Sequence, residues 1–171
     1  MEWSAIKITQ YGHGICSRNG KSCHCKPEEH PFAVLEEGDR SGRTDTSRFL
    51  VAGAKRSFWI RTKQGMLFEA MPAIREILGS GSSFVIESNS ILRFMKPDLY
   101  LVVLDLAQSD FKDSARRYLD RAGACLLVNS DAKPEWERVS LKPVLQKPRF
   151  TINPPTYMNN EVLQFIRSNQ P

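Results

Sequence analysis

Three short apolar runs, each followed by a polar residue, most constrain how this chain can fold. They occupy residues 84–86, 100–104 and 125–128 and end at Glu87, Asp105 and Asn129. Continuous apolar runs of this length are typical of strands buried on both faces of a parallel sheet. Helical patterns alternate with them, so we predict an α/β fold with a mostly parallel open sheet flanked by helices. Ligands of such sheets bind at the carboxyl ends of the strands, where these residues and Asp131 are expected.

Further strands and helices are predicted around these runs. The alternation of Ile6 and Ile8 with polar residues indicates a strand over 4–11, and a second is expected over 56–62. Helices are predicted after the N-cap Thr44, over 66–78 before Gly79, over 111–122 and over 160–168. The last helix is expected to dock Val162, Leu163, Phe165 and Ile166 on the core. Residues 133–157 contain five prolines and are predicted to be an extended connection.

Length, charge and composition narrow the class of protein. A chain of 171 residues suits a single domain, which we expect over residues 1–171. The net charge is +5, but the basic residues are interleaved with 19 acids and form no stripe with aromatics. Nucleic-acid binding is therefore not expected, and an anionic ligand such as a nucleotide is weakly supported. No apolar run reaches the ~20 residues of a membrane helix, and no signal peptide is evident, so a cytoplasmic location is expected.

Residues 13–30, HGICSRNGKSCHCKPEEH, contain Gly-Lys-Ser and invite interpretation as a phosphate-binding loop. The P-loop motif places four residues between its glycines, whereas Gly14 and Gly20 enclose five. Such a loop must also open a helix whose N-terminus faces the phosphates, yet Pro27 and Pro31 follow closely. We therefore reject a phosphate loop at this position.

The same segment, a loop insertion over residues 12–31, is rich in metal-ligating side chains. Six Cys and His residues lie within 18 positions, and Zn²⁺ takes four such ligands in a tetrahedron. The candidate ligands are His13, Cys16, Cys23, Cys25 and His30. Because Cys-x6-Cys-x-Cys is not a standard zinc spacing, an unliganded loop and thiol redox chemistry stay open as alternatives. Cys125 lies inside an apolar run and is predicted to be an inert core residue.

Several short motifs resemble a known family of nucleotide-binding proteins. The segments GRTDT (42–46) and AGA (52–54) and the strand ending at Glu87 are similar to the bacterial molybdopterin-guanine dinucleotide biosynthesis adaptor (B protein), a P-loop GTP-binding family. Residues 6–13 resemble that family's second strand and the His-containing turn after it. Ser88 stands where the family normally has Gly. The resemblance covers roughly residues 5–105 and implies a P-loop NTPase-like relative of that family.

The resemblance implies roles for four residues. Asp45 would lie near Mg²⁺ or the γ-phosphate, Glu87 would hold or orient a metal-bound water, and Asn129 with Asp131 would recognise guanine. Each has a simpler alternative: Asp45 as a first-turn acid that complements the helix dipole, and Glu87 and Asn129 as strand-end caps. Asn-Ser-Asp also lacks the spacing and the lysine of the usual Asn-Lys-x-Asp guanine motif.

The resemblance further implies that the first strand, the phosphate loop and its helix are missing. About 25–30 residues would supply them, judged by the length of a βαβ unit, and Met1 would then be an internal methionine. A sheet without that central strand would have two unpaired edges and a split core. Without a phosphate loop, the chain as written is not expected to hydrolyse GTP.

Two function hypotheses follow. The first is a GTP-binding adaptor-like protein related to molybdenum-cofactor biosynthesis, which takes Mg²⁺ with the nucleotide and serves a protein partner. The second is a zinc-binding or thiol-redox module on an α/β scaffold. A small hydrolase with Ser88 or Ser90 as nucleophile is not favoured, because the G-x-S-x-G elbow is missing. Neither hypothesis calls for a nucleic-acid or membrane partner, and the sequence leaves a homodimer open.

Overall fold

A computed structural model describes residues 2–12, 14–24, 29–79, 83–109, 111–133, 136, 139–140, 142–157 and 159–169. The chain has an α/β fold with mostly parallel sheets flanked by helices. It divides into two compact units, Met1–Phe94 and Met95–Pro171, each with its own sheet. The single domain expected over residues 1–171 stays a prediction, because a division by internal contacts does not measure independent folding.

Unit 1 is built on a four-stranded sheet with the strand order β2-β3-β1-β4. Its elements are β1 (Trp3–Tyr11), β2 (Phe32–Glu36), α1 (Asp45–Val51), β3 (Ser57–Lys63), α2 (Leu67–Leu78) and β4 (Ser83–Glu87). Strand β1 pairs in parallel with both β3 and β4, whereas β2 pairs antiparallel with β3 at the edge. Parallel neighbours require crossover connections, and α1 and α2 provide them.

Helices α1 and α2 begin and pack as their sequences predict. Thr44 caps α1: its hydroxyl accepts from Ser47 N at 3.1 Å, and Ser47 Oγ accepts from Thr44 N at 3.4 Å, which completes a capping box. Helix α2 buries four residues at helical spacing and ends at Gly79. These four are Leu67, Ala70, Met71 and Ile74.

The loop insertion predicted over residues 12–31 is followed directly by a strand that the sequence did not predict. Strand β2 is short and half exposed, and its valine and leucine are 39% and 46% exposed. A five-residue edge strand buries too little apolar surface to leave a clear periodic pattern.

Unit 2 holds a three-stranded, fully parallel sheet with the order β5-β6-β7. Its elements are β5 (Leu101–Asp105), α3 (Asp113–Tyr118), β6 (Ala124–Val128), α4 (Lys142–Leu145), β7 (Arg149–Thr151) and α5 (Asn160–Ser168). The interpretation of 133–157 as an extended connection is therefore wrong in part, since it contains α4 and β7. Helix α4 contains Pro143 and β7 directly follows Pro148, and proline is not typical of the interior of a helix or strand.

The three apolar runs differ in burial. Strand β6 is the central strand of its sheet, and Ala124, Cys125 and Val128 are buried, as predicted. The expectation of burial on both faces is wrong for β4 and β5, which are edge strands of their sheets and expose Val85 and Val103. An exposed apolar edge is a surface on which another strand can pair.

The C-terminal helix α5 has the predicted bounds and packs mainly through Val162 and Ile166. Phe165 also contacts the core, with its ring 5.4 Å from that of Phe150. The prediction that Leu163 docks as well is wrong, because Leu163 is exposed. Asn159 caps the helix by accepting from Glu161 N at 2.8 Å.

Two adjacent valines of β5 give a matched test of this burial pattern. Val102 is 4% exposed, so Val102→Ala should lower the free energy of unfolding by about 2 kcal/mol. Val103 is 60% exposed, so Val103→Ala should cost about 0.5 kcal/mol or less. Urea denaturation followed by circular dichroism measures both. Equal losses would mean that the outer face of β5 is covered in solution.

Candidate functional site

Lys7 in the middle of β1 brings together two of the predicted site residues. It lies opposite Glu87, the last residue of β4, in the parallel register, and its Nζ donates to Glu87 Oε1 at 2.9 Å. The same Nζ donates to the carboxylate of Asp45, the first residue of α1. Arg48 NH1 donates to Asp45 Oδ1 at 3.0 Å. We call Lys7, Asp45, Arg48 and Glu87 the Lys7 cluster.

Local structure places the acid of α1 where the lysine can reach it. The capping box of Thr44 and Ser47 fixes where α1 begins, and Asp45 is its first residue. Helix α1 contacts β1 and β3, the strands that form the middle of the sheet. A carboxylate in the first turn also complements the partial positive charge of the helix N-terminus.

Glu37 supports the start of α1 from the preceding loop. Its Oε2 accepts from the hydroxyl of buried Thr46 at 2.8 Å and from the hydroxyl of Thr44 at 3.3 Å. The hydrogen bond from the Asp39 backbone N–H, followed by those from Thr46 and Thr44, holds the pKa of Glu37 below its usual range. Glu37 thus stays ionised and holds the first turn of α1, and with it Asp45, in place.

The charges of the Lys7 cluster are mutually stabilised but remain in contact with water. The hydrogen bond from Lys7 lowers the pKa of Asp45, and the nearby charges of Lys7 and Arg48 lower it further against the effect of burial. Burial alone would lower the pKa of Lys7, but its bonds to Asp45 and Glu87 outweigh burial and raise it. The side chains of Lys7, Asp45 and Glu87 are 21%, 44% and 52% exposed. Ion pairs this exposed contribute little to stability, so the cluster is free to exchange partners.

Sequence reasoning found the two carboxylates of this cluster but missed the lysine between them. Lys7 is the charged residue of an otherwise alternating apolar strand, which was a usable signal. Its pairing with Glu87 depends on strand register, which a pattern along the chain does not contain. Glu37 gave no signal, because it is one of several acids in a polar loop.

The other predicted nucleotide contacts lie in unit 2, at the carboxyl ends of β5 and β6. Asn129 Nδ2 donates to Asp105 Oδ1 at 2.7 Å. Asn129 has a φ of 52°, and its carbonyl accepts from Ala132 N at 2.9 Å, so it opens a turn that suits asparagine. Asp131 lies exposed in that turn. Asn129 and Asp105 are thus brought together, whereas no described contact joins Asp131 to them.

The segment that carries Gly-Lys-Ser forms a small hairpin. Ile15 pairs antiparallel with Ser22, Cys16 N donates to Lys21 O, and Cys23 N donates to Gly14 O. Gly20 lies in the turn with a φ of 71°. These residues pair with each other and do not open a helix, in agreement with the rejection of a phosphate loop.

The candidate zinc ligands are only partly covered by the described residues. His13 and Cys25 lie outside them. Cys16 is buried, Cys23 is half-buried, and Ser17 Oγ donates to the backbone carbonyl of His30. Within the described part of the chain, no group of three or more Cys, His, Asp or Glu side chains is placed to hold a metal ion. The zinc hypothesis stays a prediction.

Substituting Lys7 should change the titration of Asp45. In Lys7→Met the pKa of Asp45 should rise towards its ordinary value of ~3.9 while staying depressed by Arg48. Because a depressed carboxyl pKa stabilises the fold above ~pH 4, the small contribution of this pair should be lost as the pH falls through the folded-state pKa. NMR titration of side-chain carboxyls measures this shift. Lys55→Met, which removes the partner of Glu2, is the control, and equal Asp45 titration in both variants would contradict the assignment.

The cysteines should differ in reactivity under native conditions. Cys125 is fully buried, as predicted, and burial raises the pKa of its thiol, so little reactive thiolate is present. Cys23 is half-buried. Brief alkylation with iodoacetamide and peptide mapping should modify Cys23 well before Cys125, and both equally in denaturant. Faster modification of Cys125 in the native protein would contradict the core assignment.

The described helices include none with the length and apolar character needed to cross a membrane. Comparison with protein-family models, with curated proteins and with solved structures finds no match to this chain.

Proposed function

We propose that this protein binds a magnesium nucleotide, GTP in preference to ATP, and that Asp45 and Glu87 are its protein ligands for Mg²⁺. The observation that carries the proposal is that both carboxylates, 42 positions apart in the chain (87 − 45), share one cation at the carboxyl end of β4. Ligands of α/β sheets bind at the carboxyl ends of parallel strands.

The donor set suits magnesium. Mg²⁺ prefers oxygen ligands and is usually held by one or two carboxylates, with the remaining positions taken by phosphate oxygens and water. Asp45 and Glu87 supply two carboxylates that already share a cation, the Lys7 ammonium. Both are about half exposed, which leaves them open to the waters and phosphates that complete the shell. Bound there, Mg²⁺ would neutralise phosphate oxygens.

Two basic side chains of the Lys7 cluster fit the phosphates of such a ligand. Lys7 and Arg48 hold Asp45 now, and a metal ion that takes over the carboxylates releases them. A lysine binds phosphate as a point charge, whereas arginine offers a planar fork of donors. The cluster thus provides anionic ligands for the metal and cationic groups for the phosphates.

The guanine preference and the adaptor role rest on the resemblance of residues 42–54 and of the strand ending at Glu87 to the molybdopterin-guanine dinucleotide biosynthesis adaptor. On that basis we propose a nucleotide-dependent interaction with a protein partner, and the guanine recognition that the resemblance implies for Asn129 and Asp131 stays a prediction. The proposal concerns binding alone and includes no hydrolysis by the described residues.

Isothermal titration of the full chain with GTP and Mg²⁺ tests the proposal. Asp45→Asn and Glu87→Gln keep shape and remove charge, and each should weaken binding at least tenfold, because a lost charge-assisted contact costs about 1.5–3 kcal/mol. Chelation of Mg²⁺ should weaken binding to a similar extent, and ATP should bind less tightly than GTP.

Glu36→Gln is the matched control, since Glu36 is a half-exposed carboxylate of the same unit that pairs with Arg56 outside the Lys7 cluster. It should leave GTP binding unchanged. Equal affinity of all three variants, or binding that ignores Mg²⁺, would contradict the assignment of Asp45 and Glu87. Circular dichroism of each variant confirms that it is folded.

A further inference from the structure

A second candidate binding site lies in unit 1, beside the edge strand β2. It is a cavity of about 540 Å³, within the size range of small-molecule sites. Its wall comes from the hairpin, from the residues that lead into β2, from β2 itself and from β3. The side chains that matter for its chemistry are Arg18, Glu29, His30, Leu35 and Arg61.

Arg61 is held in place, but no carboxylate in the described part of the chain neutralises it. Its guanidinium carbon lies 4.8 Å from the ring centroid of Trp59, and its NH2 donates to the backbone carbonyl of Arg18. Its Nε is buried and has no hydrogen-bond partner among the described residues. A buried donor without a partner carries a desolvation cost, so Arg61 is less well satisfied than an arginine whose donors are all paired.

Arg56, the residue before β3, is an arginine of the same unit whose charge is paired with a carboxylate. Its guanidinium lies 4.6 Å over the ring of Phe58, much as Arg61 lies over Trp59. Arg56, however, forms a bidentate pair with Glu36, with N–O distances of 2.7 and 2.8 Å. No described carboxylate makes such a pair with Arg61. The two arginines share their aromatic support and differ in whether a carboxylate is present.

The walls of the cavity define the rest of the ligand. Ala33 lies opposite Arg61 and Leu35 opposite Trp59 in the antiparallel register, so small and apolar side chains lie on the face that carries the guanidinium. Among the described lining residues, the two arginines Arg18 and Arg61 and the single glutamate Glu29 give a net charge of +1 (2 − 1) with histidine neutral. A single negative charge matches this balance, whereas a dianion such as phosphate would be repelled by Glu29.

We propose that this cavity binds a small organic carboxylate with an apolar body, whose carboxylate pairs with the guanidinium of Arg61. Its described lining includes none of the four residues of the Lys7 cluster, although Trp59, which supports Arg61, lies beside Lys7 in the parallel register. Arginine is suited to this role because its planar fork binds carboxylate in a bidentate manner.

Benzoate and its neutral analogue benzamide are the probes, and the Trp59 indole and Arg61 Nε resonances of the full chain are the readout. Benzoate should shift both resonances in a saturable way, and benzamide and inorganic phosphate should bind at least tenfold more weakly. Equal binding of benzamide, tighter binding of phosphate, or the absence of a saturable shift with benzoate up to about 10 mM would overturn the proposal.

The two arginines provide the matched variants. Arg61→Met keeps an unbranched apolar side chain over Trp59 and should weaken benzoate binding at least tenfold, whereas Arg56→Met should leave it unchanged. Arg61→Lys keeps the charge but not the fork and should give an intermediate loss. Equal effects of Arg61→Met and Arg56→Met would overturn the assignment. The wild-type comparison of benzoate with benzamide decides the matter even where Arg61→Met does not fold.

Discussion

The parallel pairing of β1 with both β3 and β4 is the constraint on which the structure of unit 1 depends. It requires a crossover on each side, which α1 and α2 supply, and it sets Lys7 directly opposite Glu87. A slip of one residue between β1 and β4 would put Lys7 and Glu87 on opposite faces of the sheet. The Lys7 cluster therefore forms because the strand register places Lys7 beside Glu87 and the start of α1 places Asp45 within reach of Lys7.

Much of the fold could be predicted from local patterns, whereas the site could be predicted only in part. Three elements follow from residues that are close together in the chain, and each forms as predicted. These are α2 with its buried stripe, α1 with its capping box and β1 with its alternating pattern. Strands β2 and β7 were missed because they are short, lie at sheet edges and bury little. Asp45 and Glu87 were found through a resemblance, but their shared partner Lys7 follows from strand register, which is a non-local property.

The apolar runs show why composition alone does not fix burial. Strand β6 lies between two neighbours and is buried, whereas β4 and β5 lie at the edges of their sheets and expose Val85 and Val103. Similar sequences thus have different surroundings because strand order differs. Arg56 and Arg61 make the same point for charge: both lie over an aromatic ring, but among the described residues only Arg56 has a carboxylate partner, Glu36.

We propose that Asp45 and Glu87 exchange the Lys7 ammonium for a nucleotide-bound metal ion. Paramagnetic relaxation by Mn²⁺, which replaces Mg²⁺ at oxygen sites, measures the position of the ion directly. With GTP present, substoichiometric Mn²⁺ should broaden the amide resonances of Lys7, Asp45 and Glu87 before those of Glu36 and Arg56. Uniform broadening, or broadening centred on another part of the chain, would contradict metal binding by Asp45 and Glu87.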